Sequence, residues 1–556
     1  MIVVRTPSFP ASAGRLPSLA RRLAAPSAAS AILAVLAPLA VAPAAAQDRQ
    51  EFLGLTPGDV QINASGFGEV TLTDRAGGAG GTGDDASSGD VITTVGAGVT
   101  ASVDGARSTL VGTYRASYDQ YLSQSDRSGY RQSLLASGNH ELIDEHLFFD
   151  ASASMSTRFA GLGAASATDR AGVGNQTQAI SWSLGPTWQQ RVGGSFANLN
   201  ASYRLAGTAF FAASSGDVGD SERPDNGIIH NATVALNSGS DFTRLRWSLG
   251  GSWQTQTGGG DDGGSGSRSV VASTEYRIDR RFGLLGSVGY DDVQLTDQAE
   301  GVISEADLSG LSWTVGLRFN PSPRTDMQAE YGQRFGDPYY SGTVNWRVTA
   351  RTSVSASYRT DVQTLQEALL VGITPECLSA GLSAVGGEDV PITVDCLLDL
   401  FNTGVLSPGG VDPTAPFTLV DGTARTQTFR AAINTQRERT TYSLNGSVTQ
   451  REFTINGAED TTYSVTGTAS RNLDEQTTGS VSISYTASDN TVTGNEDTAL
   501  VTSDGSTSLR GRLSLSHQFA DDLNGSVSYS HLRRDDNSNS GSTSENALVA
   551  RFTVTF

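Results

Sequence analysis

The sequence predicts an all-β protein, a closed antiparallel transmembrane barrel of about 22 strands (about 20–24). Three observations carry this. Apolar and small polar residues alternate in blocks of ten to fourteen from about Gln61 to the last residue. The connections between blocks alternate between short and long. After Gln47 no run of apolar residues is long enough for a spanning helix, so a membrane would be crossed by strands.

The first 46 residues read as an address. Arg5, Arg15, Arg21 and Arg22 form a basic start without an acid, Ala28 to Ala42 is an apolar run, and Ala44-Ala45-Ala46 precedes Gln47. That is the pattern of a cleaved secretory signal, and the run is short of the roughly 20 residues of a spanning helix. Removing four Arg and no acid takes the formal charge from -20 to -24. Residues 47–60 then form a short periplasmic segment, too short for a folded plug.

The barrel proper is expected over residues 61–556. From Thr109 to Tyr121, Leu110, Tyr114, Ala116 and Tyr118 point one way, and Thr109, Thr113, Arg115, Ser117 and Asp119 the other. From Leu311 to Asn320, Leu311, Trp313, Val315, Leu317 and Phe319 oppose Ser312, Thr314, Gly316, Arg318 and Asn320. From Ser480 to Ser488, Val481, Ile483, Tyr485 and Ala487 oppose an unbroken Ser/Thr face. A period of two marks strands with one apolar face. A soluble sandwich would alternate too. These blocks exceed the usual five or six residues of a globular strand, match the roughly 9–11 that cross a bilayer, and carry a second face too polar for a dry core. A lipid-facing exterior around a polar lumen accounts for both faces.

Short connections fall at Asp104 to Arg107, Asp144-Glu145, Val192 to Gly194, Asp279 to Arg281, Pro321 to Thr325, Gln436 to Thr440, Asn472 to Glu475 and Ala520 to Asp522. Longer Gly/Asp/Ser-rich ones include Asp74 to Gly89, Ala212 to Asn226, Gly258 to Gly266, Asp489 to Gly505 and Asp535 to Ser542. Periplasmic turns and outer loops alternate in this way, and an even strand count puts both termini in the periplasm. Phe282, Phe319 and Phe519 stand at turn edges, where aromatic girdles sit.

Thr364 to Thr423 is the one long insertion, either outside the barrel or folded into its lumen, and it holds both cysteines. Thr374-Pro375-Glu376 reads as a helix start running to Ala384, and Asp395 would cap a second helix through Phe401, ending near Gly404. In the oxidising envelope Cys377 and Cys396 are expected to pair. Such a loop would constrict the pore or cap the rim.

Mean hydropathy is -0.23, and all 38 basic residues are Arg against 58 acids. This balance excludes a nucleic-acid partner, which needs clustered bases. Two cysteines exclude a disulfide scaffold. Arg115, Arg191, Arg204, Arg246, Arg318, Arg347, Arg359, Arg430, Arg451, Arg510, Arg512 and Arg551 fall in the polar phase, with Asp119, Asp150, Glu275, Asp326, Glu330 and Asp361. Opposed charges of this kind suit a lumen that orders water and selects solutes, and each pair also serves packing. Arg pairs with carboxylates bidentately, which Lys cannot.

No enzyme and no cofactor are expected. Of His140, His146, His230, His517 and His531, the last two look close across a turn, with Ser516, Asp521 and Asp522 nearby. Yet both share the apolar phase of Leu515 and Tyr529. Asp84-Asp85, Asp261-Asp262 and Asp535-Asp536 lack the spacing of a calcium loop, and no metal is expected.

Leu548, Ala550, Phe552, Val554 and Phe556 alternate to a terminal aromatic. This resembles the C-terminal signature of bacterial outer-membrane proteins, which implies the Gram-negative outer membrane and its barrel assembly machinery, lipid and lipopolysaccharide as partners. Asp90 to Ser156 carries a second resemblance, in DVITTVGAGVTASVDGARSTLVGTYRASYDQY and YRQSLLASGNHELIDEHLFFDASASMS. With Gly98, Tyr114, Leu134 and Phe149, it is similar to an outer-membrane family associated with PEP-CTERM/exosortase sorting systems. That resemblance implies a pore or export component for hydrophilic solutes, tied to exopolysaccharide secretion and polysaccharide-export proteins. The alternative is a non-conducting scaffold barrel.

Overall fold

The computed structural model describes residues 60–75, 89–159, 176–212, 226–258, 265–295, 308–364, 423–454, 459–491, 505–536 and 542–556. The expected signal, residues 1–46, and nearly all of the short segment 47–60 lie outside them. So do Cys377, Cys396, the two expected helices, Asp84-Asp85 and Asp261-Asp262.

The described residues form 22 strands. β1 (Val60–Thr73), β2 (Asp90–Asp104), β3 (Ser108–Tyr121), β4 (Gly129–Ile143), β5 (Leu147–Phe159) and β6 (Gln176–Val192) come first. β7 (Ala197–Ala212), β8 (Gly227–Ser238), β9 (Leu245–Gly258), β10 (Gly266–Arg277) and β11 (Phe282–Gln294) follow. Next are β12 (Gly310–Ser322), β13 (Thr325–Arg334), β14 (Asp337–Thr349), β15 (Thr352–Thr364) and β16 (Thr423–Arg437). β17 (Thr440–Phe453), β18 (Glu459–Asn472), β19 (Thr477–Thr491), β20 (Ser506–Ala520), β21 (Leu523–Asp536) and β22 (Ser542–Thr555) complete the chain. Each strand pairs antiparallel with its neighbours in sequence, and β1 pairs with β22, so the sheet closes on itself. Closure pairs the first strand with the last, which is what a sheet in lipid requires.

Pairing fixes which residues share a face. Glu69 faces Thr94 on one side and Arg551 on the other, and the same parity runs around the wall. On β12, Val315 and Leu317 are 55% and 56% exposed, while Ser312 and Thr314 of the opposite phase are buried. The apolar phase is therefore the outer surface and the polar phase the inner one. This is an outer-membrane β-barrel of the Gram-negative type, with lipid outside and polar groups inside. The low mean hydropathy averages two opposite faces.

The inner face explains the Ser and Thr content. Hydroxyls meet across neighbouring strands at Ser152–Ser183 (2.8 Å), Ser202–Thr233 (2.7 Å), Ser252–Ser269 (2.7 Å), Ser287–Thr314 (2.6 Å) and Ser447–Ser464 (2.7 Å). Each such pair satisfies two polar groups and adds a few tenths of a kcal/mol, about 0.2–1. Aromatic rings mark the two rims. Phe282 and Phe319 stack at 4.8 Å near the periplasmic turns, and Phe196, Phe242 and Trp247 cluster at 5.5–5.8 Å there. Tyr331 lies 5.2 Å from Tyr340 and 6.1 Å from Trp313 at the outer level.

The periplasmic turns are built locally. At Asp279 the carboxylate accepts from the backbone N–H of Arg281 (2.6 Å) and Phe282 (2.8 Å), which hold it below the usual carboxylate range. Asp474 is lowered likewise by the Gln476 N–H and the Thr477 hydroxyl. Gly193 and Gly194 turn β6 into β7 with φ of 62° and 69°, a left-handed conformation that side chains resist.

Two features depart from the expected alternation. The outer connection between β13 and β14 is only Phe335-Gly336, with φ of 54° and 80°, a two-residue hairpin turn of the kind that needs positive φ twice. The outer connection between β3 and β4 is short too and carries a single 3-10 turn, Ser125–Arg127. Outer loop length is set by what must pack at the rim, and strand periodicity does not report it.

The two faces make a direct prediction. Val315→Arg puts a charge at mid-wall in lipid and is expected to cost about 2–4 kcal/mol. Asn345→Arg, on the exposed inner side of β14, should cost nothing measurable. Urea midpoints of barrels refolded into vesicles compare them, and equal midpoints would overturn the assignment of faces.

Candidate solute pathway along the inner wall

The register places Arg115, Arg191, Arg204, Arg246, Arg318, Arg347, Arg359, Arg430, Arg451, Arg510, Arg512 and Arg551 on the inner face. Asp119, Asp150, Glu275, Asp326, Glu330 and Asp361 share it. Most of them fall into three groups by what each touches.

Near the periplasmic end, Glu275 on β10 gathers three guanidiniums. Arg277 Nε is 3.3 Å away, Arg318 Nη1 3.7 Å and Arg246 Nη1 4.0 Å. Arg318 also donates to Asp326 at 2.5 Å, and Glu330 is held by Thr314 (2.9 Å) and Gln328 (2.5 Å). The Glu275 side chain is 14% exposed, so its charge is balanced by neighbours more than by water. Glu275→Gln is therefore expected to destabilise the barrel by about 1–3 kcal/mol. A denaturant midpoint equal to that of the wild type would show the cluster to be energetically idle.

A second group is buried in the wall. Asp460 on β18 lies opposite Arg451 on β17 and forms an ion pair with it, and both are almost fully buried. Asp119 accepts from Thr94 (2.7 Å) and from Arg131 Nε (3.1 Å). Asp291 receives two bonds of 3.3 Å from Arg334. Glu69 stands 3.8 Å from Arg551, whose guanidinium lies 4.2 Å from the centre of the Phe67 ring. Asp150 accepts from Asn139 (2.7 Å) and Thr187 (3.0 Å). These groups hold strands together.

The third group meets water. Arg347, Arg359 and Arg430 project from β14, β15 and β16 and are exposed on the inner side, Arg359 with half its side-chain surface free. Asp361 pairs with Arg359 at 3.2 Å. Here the wall contains a cavity of about 310 Å³. Ser341, Gly342 and Thr343 form one side, and Ser357 and Arg359 the other. Thr428 and Arg430 close the back, and none of its nine lining residues is an acid.

The rim above this cavity is drawn in. Thr364 Oγ1 donates to Gln256 Oε1 at 2.6 Å, joining β15 to β9 although five strands stand between them. At about 4.8 Å per strand that wall is over 25 Å wide, so the outer ends of β9 and β15 bend toward each other. The Phe335 turn packs beneath, with Val293, Leu308, Leu295 and Val362. Arg425 bridges to Asp337 and donates to the Phe335 carbonyl at 3.2 Å.

Strand phase singles out most of the inward charges. Arg131, Arg277, Arg334 and Asp291 belong to the same phase and could have been found with it. Arg425 could not. It falls in the outward phase and acts near the outer strand ends, on Asp337 and the Phe335 carbonyl. The hydroxyls of the cavity are indistinguishable in sequence from any other Ser or Thr of the inner face. The histidines require a correction. His517 faces Gly525 and His531 faces Gly511, so six residues of strand, about 20 Å, separate them. Each bonds a neighbouring strand on the outer face, to Thr477 Oγ1 and Asn546 Oδ1, both at 2.9 Å. Asp535 lies 3.3 Å from Arg533.

No family model and no curated protein matches the sequence. Among solved structures, the siderophore receptor PirA from Pseudomonas aeruginosa is similar at 9% identity with a TM-score of 0.44, over 89% of this chain and 80% of that one. The FrpB iron transporter from Neisseria meningitidis is similar at 10% identity with a TM-score of 0.46, over 91% and 83%. Likeness at this level carries no argument about solute or mechanism.

Proposed function

We propose that the barrel passes a hydrophilic solute across the outer membrane through its lumen. The observation that supports this reading is the water-exposed Arg347, Arg359 and Arg430 on the inner wall. A guanidinium is kept in water or paired, and exposure on the inner side of a wall whose outer side meets lipid implies a wet lumen. Twenty-two strands about 4.8 Å apart, tilted about 40°, enclose a backbone ring about 40 Å across. The resemblance of Asp90 to Ser156 suggests that the solute belongs to exopolysaccharide secretion, with polysaccharide-export proteins as partners.

The non-conducting scaffold is the second reading, and the Gln256–Thr364 contact favours it by narrowing the outer mouth. Purified protein in planar bilayers decides between them. Discrete conductance steps with a reversal potential shifted toward the anion are expected. A silent bilayer would sink the transport reading and leave the scaffold.

A further inference from the structure

The cavity on β13–β16 lies where the wall comes apart. β14 and β15 pair from Thr349↔Thr352 up to Gly342↔Tyr358 and no further. Above that point residues 337–341 of β14 pair only with β13, and residues 359–364 of β15 only with β16. The two hairpins diverge, and Arg425 of β16 clasps Asp337 of β14 across the top. The result is a wedge with a closed base and a bridged mouth.

Strand geometry turns alternate N–H and C=O groups of each separated segment toward the wedge. Among the described residues they find no strand partner across it. Backbone groups in a barrel wall are normally all paired, so this wedge is a place where water or a solute can supply hydrogen bonds. The side chains define which solute. Arg359 and Arg430 are diagonal neighbours, since Arg359 faces Thr428 and Arg430 faces Ser357. Asp361 occupies part of Arg359, and no acid lines the cavity to occupy Arg430. Around these two charges stand the hydroxyls of Ser341, Thr343, Ser357 and Thr428 and the amide of Gln328.

We propose that this wedge is a binding subsite for an acidic sugar, a polyhydroxylated ring bearing a carboxylate. Arg430 takes the carboxylate as a charge-assisted pair. The hydroxyls, with the backbone of Ser341 and Arg359 where the two strands part, take the ring hydroxyls. A volume of about 310 Å³ suits one or two sugar units, at the small end of the roughly 300–1,000 Å³ range of ligand sites. The subsite rests on the transport reading for its purpose, since it lines the inner wall at the outer mouth. Its binding chemistry does not depend on conduction.

Calorimetry on the full chain in detergent tests it with digalacturonate, lactose and inorganic phosphate. Digalacturonate is expected to bind about tenfold or more tighter than lactose, one charge-assisted bond being worth about that factor. It should also bind tighter than phosphate, which cannot use the hydroxyls. Arg430→Gln should abolish the preference and Arg359→Gln reduce it, while Arg439→Gln, in the periplasmic turn between β16 and β17, keeps it. Heat-modifiable gel migration verifies that each variant is folded. Equal binding of lactose, equal binding of phosphate, no binding, or a preference that survives both cavity substitutions would overturn the subsite. Selective binding by a barrel that is silent in bilayers would sink only the transport reading, and conductance without selective binding would sink only the subsite.

Discussion

Asp460→Ala is expected to destabilise the barrel by about 3–5 kcal/mol, the cost of breaking a buried ion pair from one side. Asp460 is 2% exposed and its partner Arg451 10%. The two residues are directly opposed on β17 and β18, so their side chains lie side by side on the same face. The Phe453 ring, 5.4 Å from the Arg451 guanidinium, gives it an aromatic face and no counter-charge. Thr462 Oγ1, 3.4 Å from Asp460, adds a weak bond at best. Truncating the acid removes the carboxylate that faces Arg451 in a buried part of the wall. The double replacement Arg451→Met with Asp460→Ala should recover most of the loss, because an apolar side chain there needs no partner. Urea unfolding of barrels refolded in vesicles measures both. A single variant within 1 kcal/mol of the wild type, on the scale of an exposed pair, would show that water reaches the site.

Removing the last five residues, Phe552 to Phe556, is expected to abolish the closed barrel. β1 and β22 meet along nine residue pairs, Ser65↔Thr555 to Thr73↔Ala547, and the truncation removes four of them. It also removes the bond from the Phe556 N–H to the Ala64 carbonyl at 2.8 Å. The freed backbone of β1 would then face hydrocarbon, at several kcal/mol for each unsatisfied group. The lost groups outnumber any compensation within reach, so no heat-modifiable species should accumulate, in cells or on refolding. Phe556→Ala separates closure from assembly. The Phe556 side chain is 80% exposed, so refolding in vitro should be unchanged. If the terminal aromatic is read by assembly machinery, as its resemblance to bacterial outer-membrane proteins implies, the same substitution lowers the amount in the outer membrane of cells. Normal refolding of the five-residue truncation would show that the seam is dispensable.

The fold was legible because the property that defines it is repeated. Every strand must present one face to lipid, so a period of two recurs from Val60 to Thr555 whatever the neighbouring strand is. The inner charges follow from that phase, since an Arg among Ser and Thr on a polar face has only the lumen to enter. Arg115 and Arg318 needed no partner to be placed. Partners are another matter. Whether a charge meets water, as Arg430 does, or a buried carboxylate, as Arg451 does, depends on register with a strand the local pattern does not describe. His517 and His531 illustrate the failure. They look adjacent because a turn lies between them, but antiparallel pairing sends one toward the periplasmic rim and the other toward the outer rim.

The sequence alone determined that the chain is a lipid-embedded, closed sheet of about 22 strands with a polar, Arg-bearing interior, because hydropathy along a strand is a local property. Only the tertiary structure decided where the wall opens. The end of β14–β15 pairing at Gly342 and Tyr358, the clasp of Arg425 on Asp337 and the contact of Gln256 with Thr364 all join residues separated by 16 to 108 positions. Such contacts are set by the curvature and closure of the whole sheet. A two-residue period carries no information about them.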